Sequence, residues 1–486
     1  MMASFGLLRE KQERAAPVVA IVGGGFSGAM VAWHLRRLSP HASILVFEPR
    51  ATLGAGLAYD TADPAHRINV PASRMSLFPE DDQHLVRWLG AHTREADDPE
   101  AAIEGGHLFP RRQVFGRYVA SVLAPLVETG SIVHRRLRVA DARRTADGRW
   151  RLTLSDGSTE TADRLVLATS HPAPRAPRAI DAALAGHPAY VADATVAGAL
   201  AAIRPDDRVL VVGSGLTAAD VIATLTQAGH SGPILAVSRR GLRSRGHHLA
   251  ETPDTGIDLS ITPQPTALAL LRAVRRALAR AREAGLTWHP VFDRLRGDGG
   301  AIWRALSPVE RKRLVRHLRP FWDVHRFRIA PQVERVLDGR VAGGSLVFRA
   351  AAITAVERNG DGTIRVDLRL RRGGGRLREE VDAVVVTTGP GHGAILESQP
   401  LLAGLAAAGD VCADTAGLGL AVTEESRAIG AQGRVAADLF VAGPLARGTF
   451  GELMGLPQVA EHARLVAGEV AESLAGAPGV SGAPAA

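Results

Sequence analysis

Gly23-Gly24-Gly25-Phe26-Ser27-Gly28 and Gly213-Ser214-Gly215-Leu216-Thr217-Ala218 decide the reading of this chain. Each follows a short β-branched run and opens a helical pattern. Pro17 to Val22 reads as a buried parallel strand, Ser27 to Leu38 as a helix and Ser43 to Glu48 as a second strand. Val209 to Val212, Leu216 to Ala228 and Ile234 to Ser238 repeat the pattern. Both are βαβ units with the glycine loop between first strand and helix. The expected fold is α/β, with two Rossmann-like domains of the two-dinucleotide-binding flavoprotein type.

The two loops are not copies. In the first, Gly23 permits a tight turn, Gly25 lets backbone approach a pyrophosphate beside Ser27, and Gly28 allows close helix packing. Glu48 lies twenty residues beyond Gly28, where a carboxylate holds a ribose diol. This loop is expected to hold FAD. In the second, Gly213, Ser214, Gly215 and Thr217 form the cradle, and Ala218 takes the third position. The twentieth residue onward is Ser238, followed by Arg239 and Arg240. A hydroxyl and two guanidinium forks suit a 2′-phosphate, so NADPH is expected, with NADH as the alternative.

Around these units the pattern gives a tail over 1–16 and the first part of the FAD domain over 17–200. The NADPH domain follows over 206–375, with a helical, arginine-rich insertion at about 266–335. The FAD domain closes over 376–475, and a second tail covers 476–486. Arg164 to Thr169 reads as a strand and the proline-rich Ser170 to Pro177 as a linker. Ala351 to Val356 and Ile364 to Leu370 read as strands, Arg371 to Arg376 as a hairpin turn, and Val381 to Thr388 and Leu439 to Ala442 as buried strands. Gln458 begins the closing helix.

Composition narrows the chemistry. The 486 residues are too many for one simple core. The formal charge is +8, carried almost wholly by arginines spread along the chain, so nucleic acid is not an expected partner. No apolar run suits a membrane span and Met1 to Ala16 lacks a signal-peptide core, which predicts a cytoplasmic protein. The histidines show no metal spacing, so no metal is expected. Cys412 is the only cysteine. A disulfide-reducing dithiol is therefore excluded, and dioxygen becomes the expected electron acceptor. Reduced flavin and dioxygen can form a C4a-hydroperoxide, which transfers one oxygen atom to a small-molecule substrate.

Several further motifs carry a family resemblance. They are Gly54–Tyr59, His66–Met75, Phe109–Tyr118, Gly213–Asp220, Val237–Gly241, His317–Arg326, Gly443–Gly448 leading to Glu452, and Leu456–Gln458. As a set, over about residues 17 to 470, they resemble the FAD/NAD(P)-binding family related to class B-like flavin monooxygenases, the N-hydroxylases. The resemblance implies both cofactors. It implies that Asn69 to Met75 runs along the flavin ring, that Gln113 contacts cofactor, and that Leu456 and Gln458 begin a helix facing the flavin N1–C2 edge. Gly443 stands where the fold turns to the flavin phosphates; many relatives carry Gly-Asp there, whereas this chain has Gly443-Pro444.

Arg74, His325, Arg326, Arg328 and Arg447 are candidates for holding an anionic substrate, and Glu452 for orienting it or relaying a proton. The leading expectation is an NADPH-dependent FAD monooxygenase acting on a small, anionic, nitrogen-rich metabolite, with urate to 5-hydroxyisourate first. N-hydroxylation of an amino acid of the aspartate type is the alternative. A dehydrogenase or diaphorase without oxygen insertion, and a non-catalytic flavin module, are the other readings.

Overall fold

The β-branched runs beside the two loops form the centres of two separate sheets. In the computed structural model, which describes residues 16–476 except 79, 251–252, 254, 372, 392–393 and 398, three sheets are present. Of the expected tails, 1–16 and 476–486, all but Ala16 and Gly476 lie outside the described residues.

The first sheet has six strands in the order Arg427–Ile429, Val435–Val441, Arg164–Leu167, Val18–Val22, Ser43–Phe47, Val133–Arg135. Its strands pair in parallel except at the Arg427–Ile429 edge. Val18–Val22 is a continuous apolar run because both faces are covered. The helix Phe26–Leu38 packs on one face against the closing helix Leu456–Ala475, and a three-stranded antiparallel sheet covers the other through Trp150, Leu152 and Leu154.

The second sheet has seven strands in the order Arg376–Val381, Ile364–Leu370, Leu346–Arg358, Ile234–Ser238, Val209–Val212, Ala383–Val386, Tyr190–Val191. Its middle is parallel; the first three strands form an antiparallel meander. Gly373 and Gly374 take positive φ in the expected hairpin turn. Between Ile234–Ser238 and Leu346–Arg358 comes the helical insertion, from Ala267–Glu283 to Pro331–Ala342.

Sheet membership moves two expected boundaries. Tyr190–Val191 pairs with Val384–Val385 and so belongs to the second sheet, although 17–200 was assigned to the first domain. Arg376–Val381 and Ala383–Val386 also belong there, so the return to the first domain comes after Val386 rather than at 376. A buried apolar strand does not reveal which of two similar sheets it will enter. The chain crosses at the proline-rich linker and recrosses beside it: Pro174 bridges Pro390, and the Gly391 amide donates to the Ala173 carbonyl.

An excursion of the first domain, residues 60–112, locks the two halves together. Phe109 is fully buried in the core of the second domain with Ile222, Ile329 and Val333. Arg112 makes a two-pronged bond to Asp220 at 2.8 and 3.0 Å. Thr224 donates to Asp63 at 2.6 Å, and Gln332 donates to the Glu100 carbonyl at 2.6 Å.

Removing the Phe109 ring empties space shared by both domains, and such cavities cost about 3–5 kcal/mol. Phe109→Ala is expected to lower the stability of both halves together by that amount, read as a shifted denaturant midpoint. A change confined to one half would show that the excursion does not couple them.

Candidate functional site

The first loop is built for close approach. Gly23 has φ +102°, and a Cβ there would lie 2.3 Å from the Ala168 carbonyl oxygen. A Cβ on Gly28 would lie 1.9 Å from the Gly23 oxygen. Only glycine fits either position. The helix Phe26–Leu38 then begins with neither a side-chain cap nor an acid in its first turn, leaving its N-terminal amides and positive dipole end for a phosphate. Glu48 is buried under the loop: Oε2 accepts the Gly24 amide at 3.1 Å and Oε1 accepts the Arg50 amide and guanidinium.

The second loop repeats this. The helix Leu216–Gln227 starts uncapped and without acid, and a Cβ on Gly215 would meet open space. Ser214 and Ser238 bond each other through their hydroxyls at 2.8 Å, and Ser238 also accepts the Gly241 amide. Ser238 thus braces the loop as well as marking the strand end. Arg239 is exposed, and Arg240 leans over the Phe321 ring at 4.8 Å.

A pocket of about 320 Å³ joins these elements. Leu216 and Thr217 of the second loop line it, with Asn69, Arg74 and Met75, and with Gly455 and Leu456 at the start of the closing helix. The helical insertion contributes Arg296, Arg326 and Arg328, and the first domain adds Arg112. His247 seals one wall, donating through Nε2 to the Asn69 carbonyl at 2.9 Å, and burial pushes its pKa down to about 4.

The expected substrate residues separate into groups. Arg74, Arg326 and Arg328 line the pocket; among the described lining residues, Glu452, His325 and Arg447 are absent. Glu452 sits behind Arg326, accepting from its Nε at 2.9 Å and Nη2 at 2.7 Å, with both side chains buried. It therefore holds Arg326 rather than reaching the cavity. His325 stacks on Phe292 at 4.4 Å and sits edge-on to Trp288, in an aromatic cluster. Arg447 is buried with its Nε on the Gly451 carbonyl. Gln113 lies exposed on the helix Arg112–Glu128, while its neighbour Arg112 lines the pocket.

Arg296 and Arg112 were missed. Both sat in arginine-rich stretches where no single guanidinium stood out. The arginines spread along the sequence converge in space: five face the pocket against Asp220 and Asp293.

Behind the Gly443 turn lies a buried hydrogen-bonded chain. Gly443 has φ +73°, and its amide donates to His462 Nδ1 at 3.1 Å. His462 Nε2 therefore carries the proton and donates to Ser426 Oγ at 2.7 Å. Burial lowers the His462 pKa to about 4. Among the described residues, no group of His, Cys, Asp and Glu could hold a metal, and no helix is long and apolar enough to cross a membrane.

Residues 20–172 match a family model described as FAD-NAD(P)-binding. Comparison with curated proteins finds no match. The fold is that of solved flavin hydroxylases. The ornithine hydroxylase of Pseudomonas aeruginosa is 17% identical, with 95% of this chain and all of that one covered at a TM-score of 0.61. The L-lysine 6-monooxygenase of Pseudomonas syringae is 20% identical, with 94% and 99% covered and a TM-score of 0.62. The ornithine N-hydroxylase of Kutzneria sp. 744, solved with reduced FAD, NADP+ and L-ornithine, is 18% identical, with 95% and 99% covered and a TM-score of 0.57.

Protonated His462 cannot accept the Gly443 amide, so the folded state favours the neutral ring. Its pKa falls from 6.5 unfolded to about 4 folded, so only the unfolded chain gains a proton as pH falls between them. Stability is fully present above pH 6.5 and falls as pH drops towards 4, by about 3 kcal/mol at most from this residue. Denaturant midpoints measured across that window are expected to fall less in His462→Gln than in the natural chain. Equal slopes would remove His462 from the account.

Proposed function

We propose that this chain is an FAD-dependent, NADPH-consuming monooxygenase that hydroxylates the nitrogen of a small anionic amino acid of the aspartate type. One observation carries the reading: the second loop, the Asn69–Met75 segment and the start of the closing helix open into one arginine-rich pocket. The fold-level likeness to ornithine and lysine hydroxylases supports nitrogen as the atom attacked and favours an amino acid over urate. Fold alone does not fix substrate; the lining charge supports the anion.

The residues fit both cofactors. The uncapped helix at Gly25, with Ser27 and the Gly443 turn against it, would hold the FAD diphosphate; a Cβ on Gly443 would lie 2.2 Å from Ser27 Oγ. Glu48 is the carboxylate for the ribose. The open face of Gly215 would take the NADPH diphosphate, and Arg239 and Arg240 the 2′-phosphate. Bound FAD would accept hydride from NADPH and deliver its electrons to dioxygen.

The chain's own contribution is charge and position. The N-terminal turn of Leu456–Ala475 carries no acid and no side-chain cap, so its dipole favours negative charge beside it. The lining arginines attract a carboxylate and disfavour a second cation. An ammonium group placed among them loses its proton more readily, exposing the nitrogen lone pair that hydroxylation needs. Cys412 bonds the Ile429 carbonyl, and burial raises its pKa, which suits an inert thiol.

With FAD-loaded protein, L-aspartate is expected to speed flavin reduction by NADPH at least about tenfold and to yield a hydroxylamine, whereas urate and L-ornithine do not. Stoichiometric hydrogen peroxide with every amino acid would reduce the protein to an NADPH:acceptor oxidoreductase. Product from urate would restore the purine reading.

The paired substitution Arg239→Ser with Arg240→Ser is expected to raise KM for NADPH about tenfold while leaving KM for NADH unchanged. Equal effects on both nucleotides would place the 2′-phosphate elsewhere.

A further inference from the structure

The arginines facing the pocket differ in what they already hold. Arg112 is matched by Asp220 at 2.8 and 3.0 Å, Arg328 by Asp293 at 2.7 Å, and Arg326 by Glu452. Arg296, on the insertion helix His289–Gly297, has instead a neutral partner, donating through Nη2 to Gln458 Oε1 at 3.1 Å. It is half-buried and lies against the first turn of the closing helix: a Cβ on Gly455 would lie 3.2 Å from Arg296 Nη2 and 2.2 Å from Arg326 Nη2. Two guanidinium groups and the positive end of a twenty-residue helix therefore meet at one point.

Like charges brought together without counter-charge are costly. Burial first, and then Arg326 and Arg74, push the Arg296 pKa down to about 10, with Glu452 and Asp293 opposing. Of the carboxylates nearby, Asp293 pairs with Arg328 and Glu452 gives Oε1 to Arg326, while Glu452 Oε2 is buried without a hydrogen-bond partner. Neither carboxylate bonds Arg296, whose side-chain partner is the neutral Gln458 amide, and its guanidinium lines the cavity.

We infer that Arg296 holds a carboxylate of the substrate and makes the pocket select net-negative amino acids over diamino acids. This deepens the proposed function and rests on its substrate pocket. Arg296 supplies the fork for a carboxylate, Gln458 fixes its plane, and Arg74 at the exposed edge of the pocket meets the second acidic group of a dicarboxylic substrate. A diamino acid would instead bring a second cation to a corner already over-positive, which selects against it by repulsion.

Calorimetric titration of the FAD-loaded protein tests this, with succinate as the probe and succinamide as its uncharged counterpart. Succinate is expected to bind the natural chain, to bind Arg296→Gln at least about tenfold more weakly, and to recover most of its affinity in Arg296→Lys. Succinamide is expected to bind all three equally weakly. Retained FAD content and thermal midpoint show that the variants are folded. Unchanged succinate affinity in Arg296→Gln overturns the inference, as does failure of the natural chain to bind either succinate or L-aspartate. A shifted flavin midpoint potential with unchanged succinate affinity also overturns it and gives Arg296 to the flavin. Arg296-dependent binding without product from any amino acid sinks only the proposed reaction. Hydroxylation of L-aspartate with KM unchanged in Arg296→Gln sinks only the role of Arg296.

Discussion

The interlock of residues 60–112 with the second domain is the constraint on which the site depends. Two βαβ units joined by two adjacent crossings could adopt many relative orientations. Phe109 in the second core and the Arg112–Asp220 pair fix one. The same excursion carries Asn69 to Met75, so the contact that orients the domains also builds the pocket wall. Breaking a largely buried ion pair by removing one partner leaves a charge stranded, which costs more than the pair itself is worth. The orientation is therefore specified as well as stabilised.

Electrostatics complete what packing begins. The insertion helices have few acids and many arginines, and much of that charge sits harmlessly at the surface. Three arginines turn inward, and carboxylates meet two of them: Asp293 of the insertion itself at Arg328, and Glu452 from the closing part of the chain at Arg326. Glu452 stands one residue after Gly451, whose backbone takes φ +77° and whose Cβ would collide with Trp303. The bend at Gly451 thus sends Glu452 behind Arg326, where it sets the guanidinium and stays out of the cavity. Arg296 is left with the amide of Gln458, and its charge is free to act on what enters.

Much of the loop architecture is legible in the sequence because it is local. A tight turn, a close helix and an acid under the loop occur at fixed spacing, so Gly23, Gly28 and Glu48 reveal themselves within one unit. Gly213 to Ser238 follow the same logic. The substrate side was less legible. His325 reads as a site histidine until Phe292 and Trp288 are seen around it, and Glu452 reads as a pocket acid until Arg326 is seen in front of it. Arg296 has no signature, since fifty-odd arginines look alike in a line. The domain limits failed for a related reason: Ala383–Val386 is as apolar as any strand of either sheet.

The sequence by itself determined two βαβ units with glycine loops, the different residues that end their second strands, and the absence of a cysteine pair, because each depends on residues near one another or on a simple count. Only the tertiary structure decided which strands join which sheet and which arginines face the cavity. It also decided which of those arginines already hold a carboxylate. These are relations between segments hundreds of residues apart, and charge compensation in a pocket exists only once folding has brought them within a few ångströms.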